Sequence, residues 1–294
     1  MTTPELVITP DLVNVAGAVS YWRLSGATDL GDLLTAWHTA GLDPKLLPKP
    51  VSSQVAFSRA VRDQATSRNT SGVRRFVTAV NRETYAVVEE RVVKSITDSP
   101  SSDFLTYRTL VHVTDTNHDD VQGHGLAKDI VDEIRLAQYR HQSALDANDI
   151  SAWLIRLAAV SSAVSLRNSG GVYFLPQPSL ALWTAATRVL ESVSSHKVFR
   201  IPAMKNDEAV RAVIDAVSLE AEQLVETFAA ELGDLGDRAI ETRKAQLGEM
   251  LKKVGMYERL LDQKMTDVRE RIGALNAMAT AGALVTGAGE GATP

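Results

Sequence analysis

The sequence predicts an α+β protein: an antiparallel sheet with packed helices, followed by a long C-terminal helical hairpin or coiled coil. Three observations carry that expectation. Residues 73–80 and 84–93 are rich in Val, Thr and aromatics and flank the turn-forming Asn81-Arg82-Glu83, the pattern of a β-hairpin. Residues 163–167 and 172–175 flank Asn168-Ser169-Gly170-Gly171, where glycine supplies the positive φ that a tight turn demands. Beyond Asp207 the apolar residues recur every three or four positions, which puts one apolar stripe on a helix.

Composition bounds the reading. A chain of 294 residues makes one large domain or two ordinary ones, and either buries a real core. Hydrophobic and charged fractions of 45% and 23% are globular values, which excludes wholesale disorder. A net charge of −5 argues against a generally basic surface that coats nucleic acid, leaving room for a local basic patch. With no cysteine, disulfides, thiolate metal sites and Cys nucleophiles are ruled out, and a reducing interior suits the chain. Met1-Thr2-Thr3-Pro4-Glu5 lacks the basic and apolar regions of a signal peptide. No window approaches the roughly 18 consecutive apolar residues of a membrane span. The expectation is a cytoplasmic protein with no membrane partner.

In chain order, Leu6-Val7-Ile8 and residues 13–19 are short apolar runs separated by Pro10, each a strand or short helix. Residues 30–40 form a short helix with Leu33, Leu34 and Trp37 inward, stopped by Gly41. Asp43-Pro44 and Pro48-Lys49-Pro50 make a loop, and a helix follows over 52–68. After the first hairpin and Asp98-Ser99-Pro100, residues 104–114 read as a third strand, completing a three-stranded meander because sequential strands usually pair. Residues 126–144 turn helical, with Ile130, Ile134, Ala137, His141 and Ala144 on one face. Asn148-Asp149 caps the next helix, which runs through Trp153, Leu154, Leu157 and Val160. The second hairpin comes next, then a helix opened by Pro178 or Ser179 and carrying Trp183, Val189 and Leu190. Residues 197–201 are a short strand that Pro202 ends.

The C-terminal pattern has two runs. Val210, Ile214, Val217, Ala221, Leu224 and Phe228 form the first. Leu247, Leu251, Val254, Leu261, Met265, Val268, Ile272, Leu275 and Ala279 form the second, with Glu258 its one polar interruption. The break between them falls at Gly233-Asp234-Leu235-Gly236-Asp237, where glycines end helices and Asp237 is placed to cap the next. The resulting division is an α+β body over 1–202, a helical coiled-coil region over 203–282 and a flexible, glycine-rich tail over 283–294.

The stretch Arg167-Asn168-Ser169-Gly170-Gly171-Val172-Tyr173-Phe174-Leu175-Pro176, the later Phe199-Arg200-Ile201-Pro202 and the long Glu/Ala-rich helix after it resemble a family of uncharacterised proteins. That family is found in bacteria, actinobacteria among them, and in their phages and mobile elements. The resemblance covers roughly residues 30–270, and the GGVYF-Leu-Pro hairpin is its specific piece. It implies a phage or mobile-element context and transfers no functional residue.

Three clusters invite chemistry. His112, Asp115, His118, Asp119, Asp120 and His124 hold imidazole and carboxylate ligands for a borderline divalent ion, with His112, His118 and His124 the weak metal candidates. Their spacing matches no zinc signature, and a polar loop rich in turn formers explains them equally well, so no metal and no cofactor are expected. Arg59, Arg62, Arg68, Arg74, Arg75, Arg82 and Arg91 with Lys94 make a locally basic segment, offset by Asp63, Glu83, Glu89 and Glu90. Guanidinium groups there suit phosphates, and Phe76 or Tyr85 suits a stacked base. Adjacent strand residues face opposite ways, however, so Arg74 and Arg75 cannot line one groove. The helix and hairpin over 150–176 also permit a winged-helix reading with Arg167 at the wing tip, although the apolar Trp153, Leu154, Ile155 and Leu157 fit a core better than a recognition helix.

Two functions follow from different classes. The first is a non-enzymatic interaction or assembly protein, a homo-oligomer or the binder of a helical partner. Its seam is Val210, Ile214, Val217, Leu224, Phe228, Leu247, Leu251, Val254, Leu261, Met265, Val268 and Ile272, because a seam too long for a small body to cover needs a second helix. The second is a nucleic-acid-binding accessory protein that meets DNA or RNA through its arginine-rich hairpin or wing. An enzyme ranks third, since no acid/base pair or ligand set declares itself.

Overall fold

A computed structural model describes residues 15–65, 72–81, 83–93, 104–115, 121–125, 127–167 and 171–287. In chain order its strands are β1 (Val15–Arg23), β2 (Thr28–Asp29), β3 (Val73–Ala79), β4 (Thr84–Val93), β5 (Phe104–Asp115), β6 (Val121–Gly125), β7 (Ala144–Leu145), β8 (Val164–Ser165), β9 (Tyr173–Pro176) and β10 (Lys197–Met204). Its helices are α1 (Leu30–Thr39), α2 (Ser53–Arg62), α3 (Lys128–Ser143), α4 (Ala147–Val160), α5 (Leu180–Ser192), α6 (Asp207–Glu231), α7 (Asp237–Leu261) and α8 (Thr266–Gly287). The fold is α+β. Residues 26–150 form one compact unit, and residues 1–25 with 151–294 form the other. That partition differs from a body ending at 202, because the C-terminal helices bury their stripe with β8 and β9 in one cluster.

In the 26–150 unit, the first hairpin forms as its alternation dictates, with Phe76 opposite Val88 and Val77 opposite Val87. The sheet has four antiparallel strands in the order β3-β4-β5-β6, one more than the meander expected. Strand β6 lies where a polar loop was expected because its glycines answer to packing. A Cβ on Gly123 would sit 2.2 Å from Val131 Cγ2, so a strand passes this close beneath α3 only without a side chain there. Val87 opposes Val111 while Val88 opposes Thr109, leaving Leu110 as the extra residue of a bulge. Phe57, Ala60 and Val61 of α2 and Ile130, Val131, Ile134 and Ala137 of α3 cover one sheet face, closing on Val87, Val111, Val113 and Val121.

Helix α1 is capped by Asp29 and buries Leu33 and Trp37, while Leu34 stays exposed, against expectation. Helix α2 starts at its Ser52 cap and ends at Arg62, short of the expected 68; residues 66–71 lie outside the described ones. The cap of α4 is Asp146 rather than Asn148-Asp149: its Oδ1 accepts from the N–H groups of both Asn148 and Asp149.

In the other unit, β1 is central in the order β10-β1-β9-β8. A Cβ on Gly17 would lie 2.0 Å from the Leu175 carbonyl oxygen, so glycine sets how closely β1 approaches β9. Pro202 does not end its strand. It sits within β10, opposite Ala18, because β10 is an edge strand and one side of its ladder is unpaired. The second hairpin pairs Val164 with Phe174 and Ser165 with Tyr173, and its tip at 168–170 lies outside the described residues. Beside the sheet, the buried indole of Trp183 donates to Ser20 Oγ (3.1 Å), which donates to the Phe199 carbonyl (2.9 Å).

The C-terminal region is three helices, all three pairs in contact, rather than a hairpin. The run 247–279 is broken at Asp262, a non-glycine residue in the left-handed region at φ 56°. Glu258, which reads as an interruption of the stripe, closes that turn. It accepts from the N–H of Met265 (2.8 Å) and from the Arg269 guanidinium (2.6 and 2.9 Å). Val217, Phe228, Leu247, Val254, Leu261, Met265, Val268 and Ile272 are buried in one cluster, and Val210, Ile214, Leu224 and Leu251 pack half-buried against it. The seam is therefore covered within one chain, because the turn at Asp262 folds α8 back to supply the third wall. Helix α8 continues through Gly287, past the expected start of the tail at 283.

Candidate functional groove

In the unit that contains the C-terminal helices, α4, β8, α6 and α7 wall an open groove of roughly 900 Å³. Helix α4 ends in a Schellman arrangement. The N–H of Ala163 reaches the Ala158 carbonyl (2.9 Å), that of Ser162 reaches Ala159 (3.0 Å), and Ser162 takes φ 55°. The Tyr257 hydroxyl donates to the Ser162 carbonyl (2.9 Å) and so braces this left-handed residue. The chain then turns into β8, which places the end of α4 against α6 and α7.

The floor is polar and closed. Lys253 Nζ donates to both Glu220 oxygens (2.7 and 2.8 Å) and to the Ala163 carbonyl (2.7 Å). Those three bonds use all three ammonium hydrogens. Burial, then the nearby Glu220 charge, pushes the Tyr257 hydroxyl well above its ordinary pKa, so it stays protonated and donating. Burial and Glu220 also raise Tyr173, whose ring stacks on Trp22 at 5.5 Å and 6°. The buried phenol is therefore not poised to move a proton at neutral pH. The rim is apolar and open: Ile155 is 44% exposed, Val160 62% and Leu219 43%. The arrangement suits holding an apolar surface over satisfied polar groups.

The family comparison covers this site. A model described as a family of unknown function (DUF6744) matches residues 15–287. The chain belongs to that family. The DUF6744 span takes in every strand and helix described above, the groove included. No curated protein and no solved structure matches the chain.

Among the described residues of this DUF6744 chain, the arginines of the basic segment do not share one face. Arg59 is held by Asp149 (2.6 and 2.8 Å) and approached by Asp146 at 3.4 Å, which holds its guanidinium above and the Asp149 carboxyl below their ordinary pKa values. Arg62 is exposed at the end of α2. Arg74 opposes Glu90 and Arg75 opposes Glu89, on opposite sheet faces as strand alternation requires. Arg68 and Arg82 lie outside the described residues, and Arg167 lines the groove of the other unit. Phe76 packs edge-on against Tyr107, and Tyr85 against Phe57 with its hydroxyl on Ser58, so neither ring is a free stacking platform.

His112 and His124 are directly opposed on β5 and β6, both exposed, and His118 lies outside the described residues. No group of three or more His, Asp or Glu among the described residues is placed to hold a metal ion. No helix among them is long and apolar enough to cross a membrane.

Sequence reasoning missed the groove itself. Ile155 reads as core but projects outward, and Glu220 and Lys253 stand 33 positions apart with no local signal joining them.

Proposed function

We propose that this chain is a non-enzymatic interaction or assembly protein that receives an amphipathic helix of a partner protein in the groove between α4, α6 and α7. The single observation behind this reading is the exposed apolar rim of Ile155, Val160 and Leu219 around a floor whose polar groups are already satisfied. Such a surface gains by covering apolar area and loses no unpaired polar group when water leaves. The α7 wall runs from Thr242 to Lys253, about 16 Å at 1.5 Å per residue, which matches about three turns of a docked helix read at i, i+3/i+4 and i+7. Arg167 and Glu249 flank the groove and favour a stripe bordered by charges of both signs.

In this reading the C-terminal helices still carry partner binding, through a groove beside their seam. A cytoplasmic, phage or mobile-element setting belongs to the same proposal. The nucleic-acid alternative is weakened because Arg74 and Arg75 lie on opposite sheet faces and Arg59 is bound internally.

The test is selection of helical peptides on the full chain, followed by titration against variants. Val160→Glu and Leu219→Glu should each weaken the selected peptides at least tenfold, and Lys264→Glu at the α7–α8 turn should not. Equal binding by all three variants would refute the groove, and a salt-dependent shift of short DNA or RNA would restore the alternative.

A further inference from the structure

We propose that the outer edge of β5 over residues 104–109 docks onto the same edge of a second copy, extending the two sheets into one across a two-fold axis. This surface lies in the 26–150 unit and is independent of the groove.

The sheet itself exposes the edge. Strand β5 pairs with β4 from Phe104 to Thr114, but with β6 only from Val111 to Asp115. Among the described residues, the backbone groups of 104–109 that face away from β4 therefore have no strand partner. The N–H of Ala127 takes the Leu110 carbonyl and ends the open stretch at the bulge. Every residue from 104 to 109 is exposed, with Phe104 at 55%, Leu105 at 46% and Tyr107 at 59%.

Proteins blunt edges that must stay single with lysine, proline, inward charges or a bulge inside the edge. Phe104-Leu105-Thr106-Tyr107-Arg108-Thr109 has no lysine and no proline, carries a single charge at Arg108, and its bulge lies beyond it. An apolar, extended edge of this kind is built to pair.

The sequence also fits itself. A two-fold axis perpendicular to the sheet keeps each face continuous, so opposed residues must share a face and their numbers must sum to an even value. Centred on Thr106, antiparallel pairing sets Leu105 against Tyr107 of the second copy on one face. On the other it sets Phe104 against Arg108 of the second copy, an aromatic ring beside a guanidinium. Thr106 meets its own symmetry mate. The register brings no like charges together, and its strongest pairs are the apolar–aromatic and cation–π combinations that stabilise cross-strand contacts. The isologous arrangement closes on itself, which separates a finite dimer from a growing fibre.

The experiment uses the full chain. Sedimentation should give twice the 31.8 kDa chain mass. Leu105→Lys combined with Tyr107→Lys sets like charges opposite each other twice and should halve that mass. Leu105→Lys combined with Tyr107→Glu sets opposite charges there and should restore it. Far-ultraviolet circular dichroism should be unchanged in all, since both side chains are largely exposed and Tyr107 gives up only its edge contact with Phe76.

Because the chain has no cysteine, Thr106→Cys gives a single thiol at the axis. Opposed Cα atoms in an antiparallel pair are about 4.5 or 5.5 Å apart, within disulfide reach, so mild oxidation should give a covalent dimer from Thr106→Cys and far less from Thr109→Cys. A wild-type chain of monomer mass overturns the proposal, including one that captures an extended peptide on this edge. So does a dimer indifferent to the Leu105/Tyr107 variants.

Discussion

Glu258→Ala is expected to loosen the C-terminal helices by about 2 kcal/mol. The carboxylate is 9% exposed and takes the first free N–H of the α8 start, that of Met265, together with the Arg269 guanidinium. Loss of a side-chain cap costs about 1 kcal/mol. The bridge contributes up to about 1 kcal/mol more, since Arg269 is 44% exposed and solvent screens it. In urea, with a slope of about 2–3 kcal/mol/M, the midpoint should fall by about 0.7–1 M.

Glu258→Gln keeps an acceptor for Met265 and loses the charge toward Arg269, so it should cost about half as much. The Arg269 hydrogen bond holds the Glu258 carboxyl below its ordinary pKa against the opposing effect of burial. Its contribution is therefore complete above the unfolded value of 4.5 and is lost as pH falls through the lower folded value. The gap between wild type and Glu258→Gln should close in acid. An unchanged urea midpoint for Glu258→Ala would refute the reasoning and return Glu258 to a mere gap in the stripe.

Gly17→Ala should cost about 3 kcal/mol and lower the melting temperature, because the added carbon meets the Leu175 carbonyl at 2.0 Å and Phe174 Cζ at 2.7 Å. Leu251→Asp with Leu261→Asp should unfold the three-helix region without changing the oligomeric mass of the chain that remains folded, since both face the internal cluster; circular dichroism and sedimentation separate the two effects. His196 is fully buried, accepts the Ser25 N–H at Nδ1, and burial lowers its pKa. The unfolded chain thus binds more protons below about pH 6.5. Thermal stability should fall as pH drops from 6.5, more steeply than in His196→Asn.

Patterns that involve neighbours in sequence were legible. The hairpin over 73–93 shows in the alternation of its own residues, and the C-terminal stripe shows in its three-and-four spacing. Neither pattern says what covers the apolar face. The heptad positions of 247–279 read the same on one helix or two, and only the capping role of Glu258 divides them.

Residues whose reasons lie across the fold were opaque. Gly171 reads as a turn glycine, yet its φ is not positive. A Cβ there would come within 2.9 Å of the Trp22 ring, far away in the sequence. Pro202 reads as a strand end because sequence does not show that β10 is an edge. The groove combines an α4 face that scores as core with a charge pair set by tertiary packing, so the alternation and spacing rules had no hold on it.

The central position of β1 orders events during synthesis. Its partners β9 and β10 begin at Tyr173 and Lys197, and the whole 26–150 unit is made in between. At about 5–20 residues per second, roughly 10–35 s separate translation of Arg23 from that of Lys197. The intervening unit is continuous in sequence and closes its sheet from near neighbours. Strand β1 thus precedes the 26–150 unit in synthesis, and its Val15–Trp22 run meets β9 and β10 only after that unit has been made. Closing so long a separation costs more chain entropy than closing the sheet of the intervening unit from its near neighbours, so β1 depends for both its partners on the contacts most distant in sequence.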